Sequence, residues 1–137
     1  MTITLSESSS TTAGILLLAI VTIQYGGTFL LRVFTGGVPA TEFQKSFFRA
    51  GHAHAGVLVI LGLVGTLLVD ATRLEGFWEL VARDGVPLGA ILMSAGFFLS
   101  AVGPDRRKPN RLVVLLFLGA ASVAAGTLSL GVGLLAA

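Results

Sequence analysis

Long uncharged stretches separated by short charged segments form the main pattern of this chain. Stretches without Asp, Glu, Lys or Arg cover residues 13–31, 50–69, 85–104 and 112–137. At a rise of about 1.5 Å per residue, a helix needs about 20 such residues to cross a hydrocarbon core about 30 Å thick. The pattern therefore predicts four membrane spans. With their flanking turns, they lie at about residues 13–33, 42–69, 86–103 and 111–135.

The fold class that these spans predict is all-α, an antiparallel four-helix transmembrane bundle. The bundle forms a single domain over residues 13–137, because no soluble stretch is long enough to build a second core. Residues 1–12 are rich in Ser and Thr and show no apolar periodicity. We predict that they form a disordered tail.

The second span carries its own start signal. Thr41 followed three residues later by Gln44 is a capping-box pattern, and Pro39 discourages an earlier start. The uncharged part of this span begins at Ala50. We therefore predict one helix that enters the membrane without a break.

The second loop predicts a short helix of its own. Leu74, Phe77, Trp78 and Val81 recur at i, i+3, i+4 and i+7, which is the spacing of one helix face. Such a helix is expected to lie on the membrane surface, with Phe77 and Trp78 as interfacial anchors. Pro87 then falls in the first turn of the third span, where proline is tolerated.

Small residues follow a spacing of three and four along three of the spans. Because lipid tails are as apolar as leucine, membrane helices associate through close backbone approach at small residues. These stripes predict tight packing, and Ala120 and Ala124 remain for contact with another subunit. The stripes are Gly51, Ala55, Leu58, Gly62, Gly65 and Val69; Gly89, Met93, Gly96, Ser100 and Gly103; and Gly119, Ser122, Gly126, Ser129 and Gly133.

Composition and charge support a membrane location. The chain is 54% hydrophobic and 12% charged, against about 25% charged residues in soluble domains. The positive charges behind its net charge of +2 cluster at the membrane edges, where they indicate topology. We therefore predict no nucleic-acid partner. Seven of the nine Lys and Arg flank the first and third loops, so the positive-inside rule places both termini outside. Cysteine is absent, which excludes disulfides and thiolate metal sites.

The two histidines, His52 and His54, are the candidate ligand or metal residues. Residues i and i+2 of a helix lie about 200° apart, so the two rings point to opposite faces and cannot chelate one ion unless the helix unwinds at Gly51. His54 shares its face with Phe47 and Leu61, which indicates a buried position. His52 shares its face with Lys45 and lies nearer the headgroups. Ionisable groups inside spans often mark function.

Several polar residues are expected at the depth of His54. The antiparallel arrangement predicts a polar layer in the cytoplasmic half of the bundle. Three roles for His54 stay open: a structural hydrogen bond to Tyr25 or Gln24, a metal or haem ligand, and part of a proton or ion path. The layer comprises Gln24, Tyr25, Thr28, Arg32 and Ser100.

The start of the second span, Arg49-Ala50-Gly51-His52-Ala53-His54, resembles small bacterial four-span proteins that are similar to fragments of haem–copper oxidase catalytic subunits. In those proteins a His-x-His opens the second span and Leu-Leu-Gly-Trp usually follows. Here Ala55-Gly56-Val57-Leu58-Val59 follows, so the Gly-Trp pair is absent. The resemblance implies a bacterial inner-membrane protein in which His52 or His54 is a haem or metal ligand. With two histidines, a full oxidase site is excluded.

The sequence leads to three hypotheses for function. The first is an accessory or ligand-binding subunit of a membrane redox complex, with a haem, quinone or metal near the histidines. The second is a homo-oligomeric channel or transporter with a polar path, and the third is a structural partner bundle. Because no paired carboxylate or nucleotide loop lies in a span, an enzyme is not expected. The expected partners are the lipid bilayer and other membrane subunits, or further copies of this chain.

Overall fold

A computed structural model describes residues 4–137 and confirms the all-α fold. Helix α1 spans Glu7–Phe34, α2 spans Glu42–Val69, α3 spans Gly76–Ala101 and α4 spans Val114–Leu135, with a short 3-10 helix at Arg111–Val113 before α4. All four α-helices are long and apolar enough to cross a membrane. The protein is therefore a multi-pass membrane protein.

The helices are arranged around α2 and α3. Helix α3 packs along both α2 and α4, and α1 packs along α2. Helices α1 and α3 touch only slightly, and within residues 4–137 α1 does not reach α4. The bundle has two ends, which we call the Asp70 end, where α1 and α3 begin, and the Arg106 end, where α2 begins.

Helix α1 begins earlier than the uncharged pattern predicts. Residues 7–12, predicted as part of a disordered tail, form its first turns, while residues 1–3 lie outside the described part. Ser6 caps the helix by accepting a hydrogen bond from the Ser9 N–H. The Asp70 carboxylate accepts from the Ser6 N–H at 2.8 Å and from the hydroxyls of Ser6 and Ser9 at 3.0 and 2.9 Å. These polar contacts extend the start of α1, and they cannot be predicted from the periodicity of apolar residues.

The contacts of Asp70 predict a loss of stability in acid. Partial burial acts to raise the Asp70 pKa, but the bonds from Ser6 and Ser9 and the charge of Arg83 outweigh it and hold the pKa below its usual value. A lowered folded-state pKa contributes stability above the unfolded-state value of about 3.9, and this is lost as the pH falls through the folded-state pKa. We expect the melting temperature in detergent to decrease when the pH is lowered below about 4. In Asp70→Asn this decrease should be smaller.

Asp105→Asn, at an exposed turn of the other end, serves as the control, and its melting temperature should depend on pH as that of the unaltered protein does. An Asp70→Asn protein with the same pH dependence as the unaltered protein would contradict the assignment.

The amphipathic segment predicted over residues 74–81 is not a separate helix. Helix α3 runs continuously from Gly76, so Pro87 lies inside the helix, and its predicted place in the first turn is wrong. Arg83 joins the segment to the span, since it bonds Glu79 at 2.9 Å and Asp84 at 3.3 Å. Phe77 and Trp78 are exposed at the Asp70 end. Their role as interfacial anchors stays a prediction.

The small-residue stripes form the contact between α3 and α4. A Cβ built on Gly85 would lie 2.8 Å from the Cα of Gly126, and one built on Gly96 would lie 2.5 Å from the backbone nitrogen of Leu116. Real Cβ atoms do not approach this closely, so the two backbones are in direct contact. Ser122 adds a cross-helix hydrogen bond to the Gly85 carbonyl at 2.7 Å. This close approach is the packing that the stripes predict.

Gln44 organises the Arg106 end. The capping box is present: the Thr41 hydroxyl accepts from the Gln44 N–H, and the Gln44 carbonyl oxygen accepts from the Thr41 N–H. The buried Gln44 amide also donates to the carbonyls of Ala101 and Gly103 at 3.0 and 2.8 Å. The Thr41 hydroxyl donates to the carbonyl of Arg106. The capping residue Gln44, which marks the start of α2, therefore also provides hydrogen-bond donors for carbonyl groups at the end of α3.

Candidate functional site

His52 and His54 lie on opposite sides of α2, as the helical spacing predicts. The region is a regular α-helix, so the unwinding at Gly51 that would bring the rings together does not occur. His52 faces α1, and His54 faces the side of α2 where Phe97 of α3 lies. Both residues are half-buried. The two imidazoles therefore belong to two different environments.

The His54 ring is held in one orientation by its own helix. Its Nδ1 lies 2.7 Å from the carbonyl oxygen of Ala50. Because a carbonyl only accepts hydrogen bonds, this contact requires the proton on Nδ1, which leaves the lone pair on Nε2 of a neutral ring. The ring also packs beside Phe97, with centroids 4.9 Å apart. His54 thus presents an imidazole in a fixed orientation, and Nε2 is the ring nitrogen that this contact leaves unbonded.

His52 occupies the contact between α1 and α2. A Cβ built on Gly26 or Gly27 would lie 3.6 to 3.7 Å from the His52 ring, so two successive glycines make room for the imidazole. The prediction placed this ring near the headgroups, beside Lys45. The structure places it against α1, because Gly26 and Gly27 let α1 approach closely. The histidine that packs against the polar half of α1 is thus His52 and not His54.

The predicted polar layer is not assembled within the chain. Gln24, Tyr25, Thr28 and Arg32 are all exposed, with 78% of Tyr25 accessible, and the Thr28 hydroxyl bonds back to the Tyr25 carbonyl. Ser100 is fully buried and donates a long bond of 3.4 Å to the carbonyl of Phe97. Tyr25 and Gln24 therefore do not serve as hydrogen-bond partners of His54 here. These α1 side chains stay apart from His54 because α1 turns them outward, which the spacing of α1 alone does not reveal.

The number of metal-ligating side chains near the histidines decides whether the site fits a metal ion or a haem. Within residues 4–137, no group of three or more His, Cys, Asp or Glu side chains is placed to hold an ion. A protein zinc site takes three or four protein ligands. A haem supplies four nitrogens of its own and needs one or two axial ligands from protein. The single imidazole of His54 fits the second requirement and not the first.

Comparisons with protein-family models, curated proteins and solved structures find no match for this chain. The resemblance of residues 49–54 to oxidase-like four-span proteins therefore stays a prediction. What the site does has to be argued from the geometry of the histidines.

Proposed function

We propose that this protein is a small ligand-binding subunit of a membrane redox complex, and that the imidazole of His54 would hold the iron of a haem. The observation that carries the proposal is the bond between His54 Nδ1 and the Ala50 carbonyl. Metal-ligating histidines commonly donate their other ring N–H to a backbone carbonyl, which fixes the tautomer and the ring orientation. The same bond leaves Nε2 of His54 as the ring nitrogen that would bind the iron.

The surroundings of His54 also suit a flat, apolar group. Phe97 covers one side of the ring, and Phe47 packs against Phe97 with centroids 5.5 Å apart. Val57 and Leu61, further along α2, are exposed toward the membrane. A haem at this place would supply one-electron chemistry, while the chain orients the iron ligand and excludes water.

The outward polar face of α1 supports the part of the proposal that concerns partners. Gln24, Tyr25 and Thr28 are exposed within a membrane-spanning helix. Polar side chains facing lipid are costly, and in membranes they typically bond across to another helix. We propose that α1 contacts another subunit of the complex. The alternative of a homo-oligomeric channel uses the same residues, with the polar path between copies of the chain.

We also propose a bacterial cell membrane location with both termini outside. The Arg106 end carries Arg106, Arg107, Lys108 and Arg111 on the loop between α3 and α4, and Lys45 and Arg49 at the start of α2. Cytoplasmic loops carry such an excess of Lys and Arg. This distribution supports a cytoplasmic Arg106 end.

The haem proposal predicts that the two histidines differ. The protein, purified in detergent and titrated with haem, should give a shifted visible spectrum with a reducible iron, and His54→Ala should lose at least tenfold in haem affinity. His52→Ala is the matched control and should bind haem as the unaltered protein does. His54→Gly with free imidazole should recover the spectrum, because added imidazole replaces the missing ligand.

Thermal melts show whether each variant is folded. A colourless protein after haem titration would contradict the proposal. So would equal loss of haem in folded His52→Ala and His54→Ala.

A further inference from the structure

A groove runs between α1, α2 and α3 on the side of the bundle away from His54. It exists because α1 and α3 both pack on α2 but barely touch each other. Its volume is about 390 Å³, within the usual range of small-molecule sites. Its walls are mostly aliphatic, including Ile15, Ala19, Ile23, Val59, Ala90 and Ile91. Since these helices span the membrane, a ligand would enter sideways from the bilayer.

The two ends of the groove differ in chemistry. At the Asp70 end, the Thr12 hydroxyl donates to the Asp84 carboxylate at 3.2 Å, and both residues line the groove. Toward the other end lies Ser94, whose Oγ is buried and has no hydrogen-bond partner within residues 4–137. A buried hydroxyl normally finds a partner. Rotation of the Ser94 side chain about χ1 toward the groove would let the hydroxyl donate to an acceptor atom on a ligand.

His52 lies one turn beyond Ser94. Gly51 packs against Phe97 and Phe98, and Gly62 against Pro87, so the antiparallel helices place Ser94 level with Ala55. Ala55 lines the groove and shares a face of α2 with His52 three residues earlier. The His52 ring rests on α1 one turn past Ile23. Ser94 is therefore the hydrogen-bonding group at this end of the groove, while His52 does not line the groove and lies one turn further along α2.

We infer that this groove binds one quinone from the bilayer, with its ring at the Ser94 end and its tail along the aliphatic walls. Among residues 4–137 no Lys or Arg lines the groove, so a carboxylate or phosphate head would lack a counter-charge, and Asp84 would repel it. A quinone ring is neutral, and its carbonyl oxygens accept the hydrogen bond that the Ser94 hydroxyl can donate.

A matched pair of ligands tests this inference in nanodiscs of zwitterionic lipid. Decylbenzoquinone and decylbenzene share a ring and a tail but differ in the carbonyl oxygens. We expect the quinone to bind more tightly to the unaltered protein. Ser94→Ala should weaken quinone binding about 3- to 10-fold, as loss of one neutral hydrogen bond implies, and should leave decylbenzene binding unchanged.

Filling the groove provides the second variant. Ala19→Phe should abolish binding of both ligands, whereas Ala124→Phe on the exposed face of α4 should not. Equal affinity for the two ligands, or a Ser94→Ala protein that binds the quinone normally, would overturn the quinone assignment. Failure of both ligands to bind, or no effect of Ala19→Phe, would overturn the groove as a site. Haem titration is a separate measurement, so these outcomes do not depend on the role of His54.

Discussion

Gly119→Ala is expected to destabilise the protein by about 2–3 kcal/mol, in the range of overpacked core sites. A Cβ at Gly119 would lie 2.5 Å from Met93 Cγ, 2.6 Å from the Met93 backbone nitrogen and 3.0 Å from the Gly89 carbonyl oxygen. Met93 Cγ is able to rotate away, but the two backbone atoms move only if α3 and α4 separate. Separation would also loosen the contact between Gly85 and Gly126. Thermal or denaturant unfolding in detergent measures the effect.

Gly131→Ala is the matched control on the same helix. A Cβ at Gly131 meets nothing within 4 Å, so the change adds helix propensity without a clash. It should be neutral or stabilising by up to about 1 kcal/mol. Equal destabilisation by Gly119→Ala and Gly131→Ala would contradict direct backbone contact between α3 and α4.

The fold is predictable from this sequence because a bilayer leaves few alternatives. Within lipid every backbone group needs an internal partner, so uncharged stretches about 20 residues long become helices. The capping box at Thr41 predicts where α2 begins, and the glycine stripes predict where α3 and α4 meet. The errors lie outside the hydrocarbon core. There, the bonds of Ser6 to Asp70 lengthen α1, and those of Arg83 to Glu79 and Asp84 lengthen α3. The sequence does not reveal them, because Asp70 is distant from Ser6 in the chain and the charged residues around Arg83 are typical of a loop.

The candidate site is less predictable, because it depends on how each helix is rotated about its axis. The separation of His52 and His54 follows from helix geometry alone. Which of them faces α1 depends on Gly26 and Gly27, which are small enough for a ring to pack against. The groove follows from the divergence of α1 and α3, a relation between helices that periodicity within one helix does not contain. No pattern in the sequence singles out Ser94, and it stands out only in the structure, where its hydroxyl has no partner within residues 4–137.

Gln44→Leu is expected to destabilise the protein by about 3–4 kcal/mol, because it removes several buried hydrogen bonds at once. The Gln44 amide donates to the carbonyls of Ala101 and Gly103, and its carbonyl accepts from the Thr41 N–H. Leucine keeps a similar size but leaves these groups unpaired, and Gln44 is buried, so water does not replace the bonds. The end of α3 and the start of α2 should therefore loosen together. The melting temperature should fall, and amide hydrogen exchange should speed up at the Arg106 end.

Gln44→Glu tests which atoms carry the effect. A carboxylate still accepts from the Thr41 N–H, so the capping box persists, but it has no N–H to donate to the carbonyls of Ala101 and Gly103. The ionised group would face those carbonyl oxygens while buried, so we expect Gln44→Glu to be at least as destabilising as Gln44→Leu at neutral pH. Protonation of the carboxyl supplies a donor, so the difference should shrink as the pH falls. If Gln44→Glu matched the unaltered protein at neutral pH, the capping box alone would explain the role of Gln44, and its bonds to the end of α3 would not contribute.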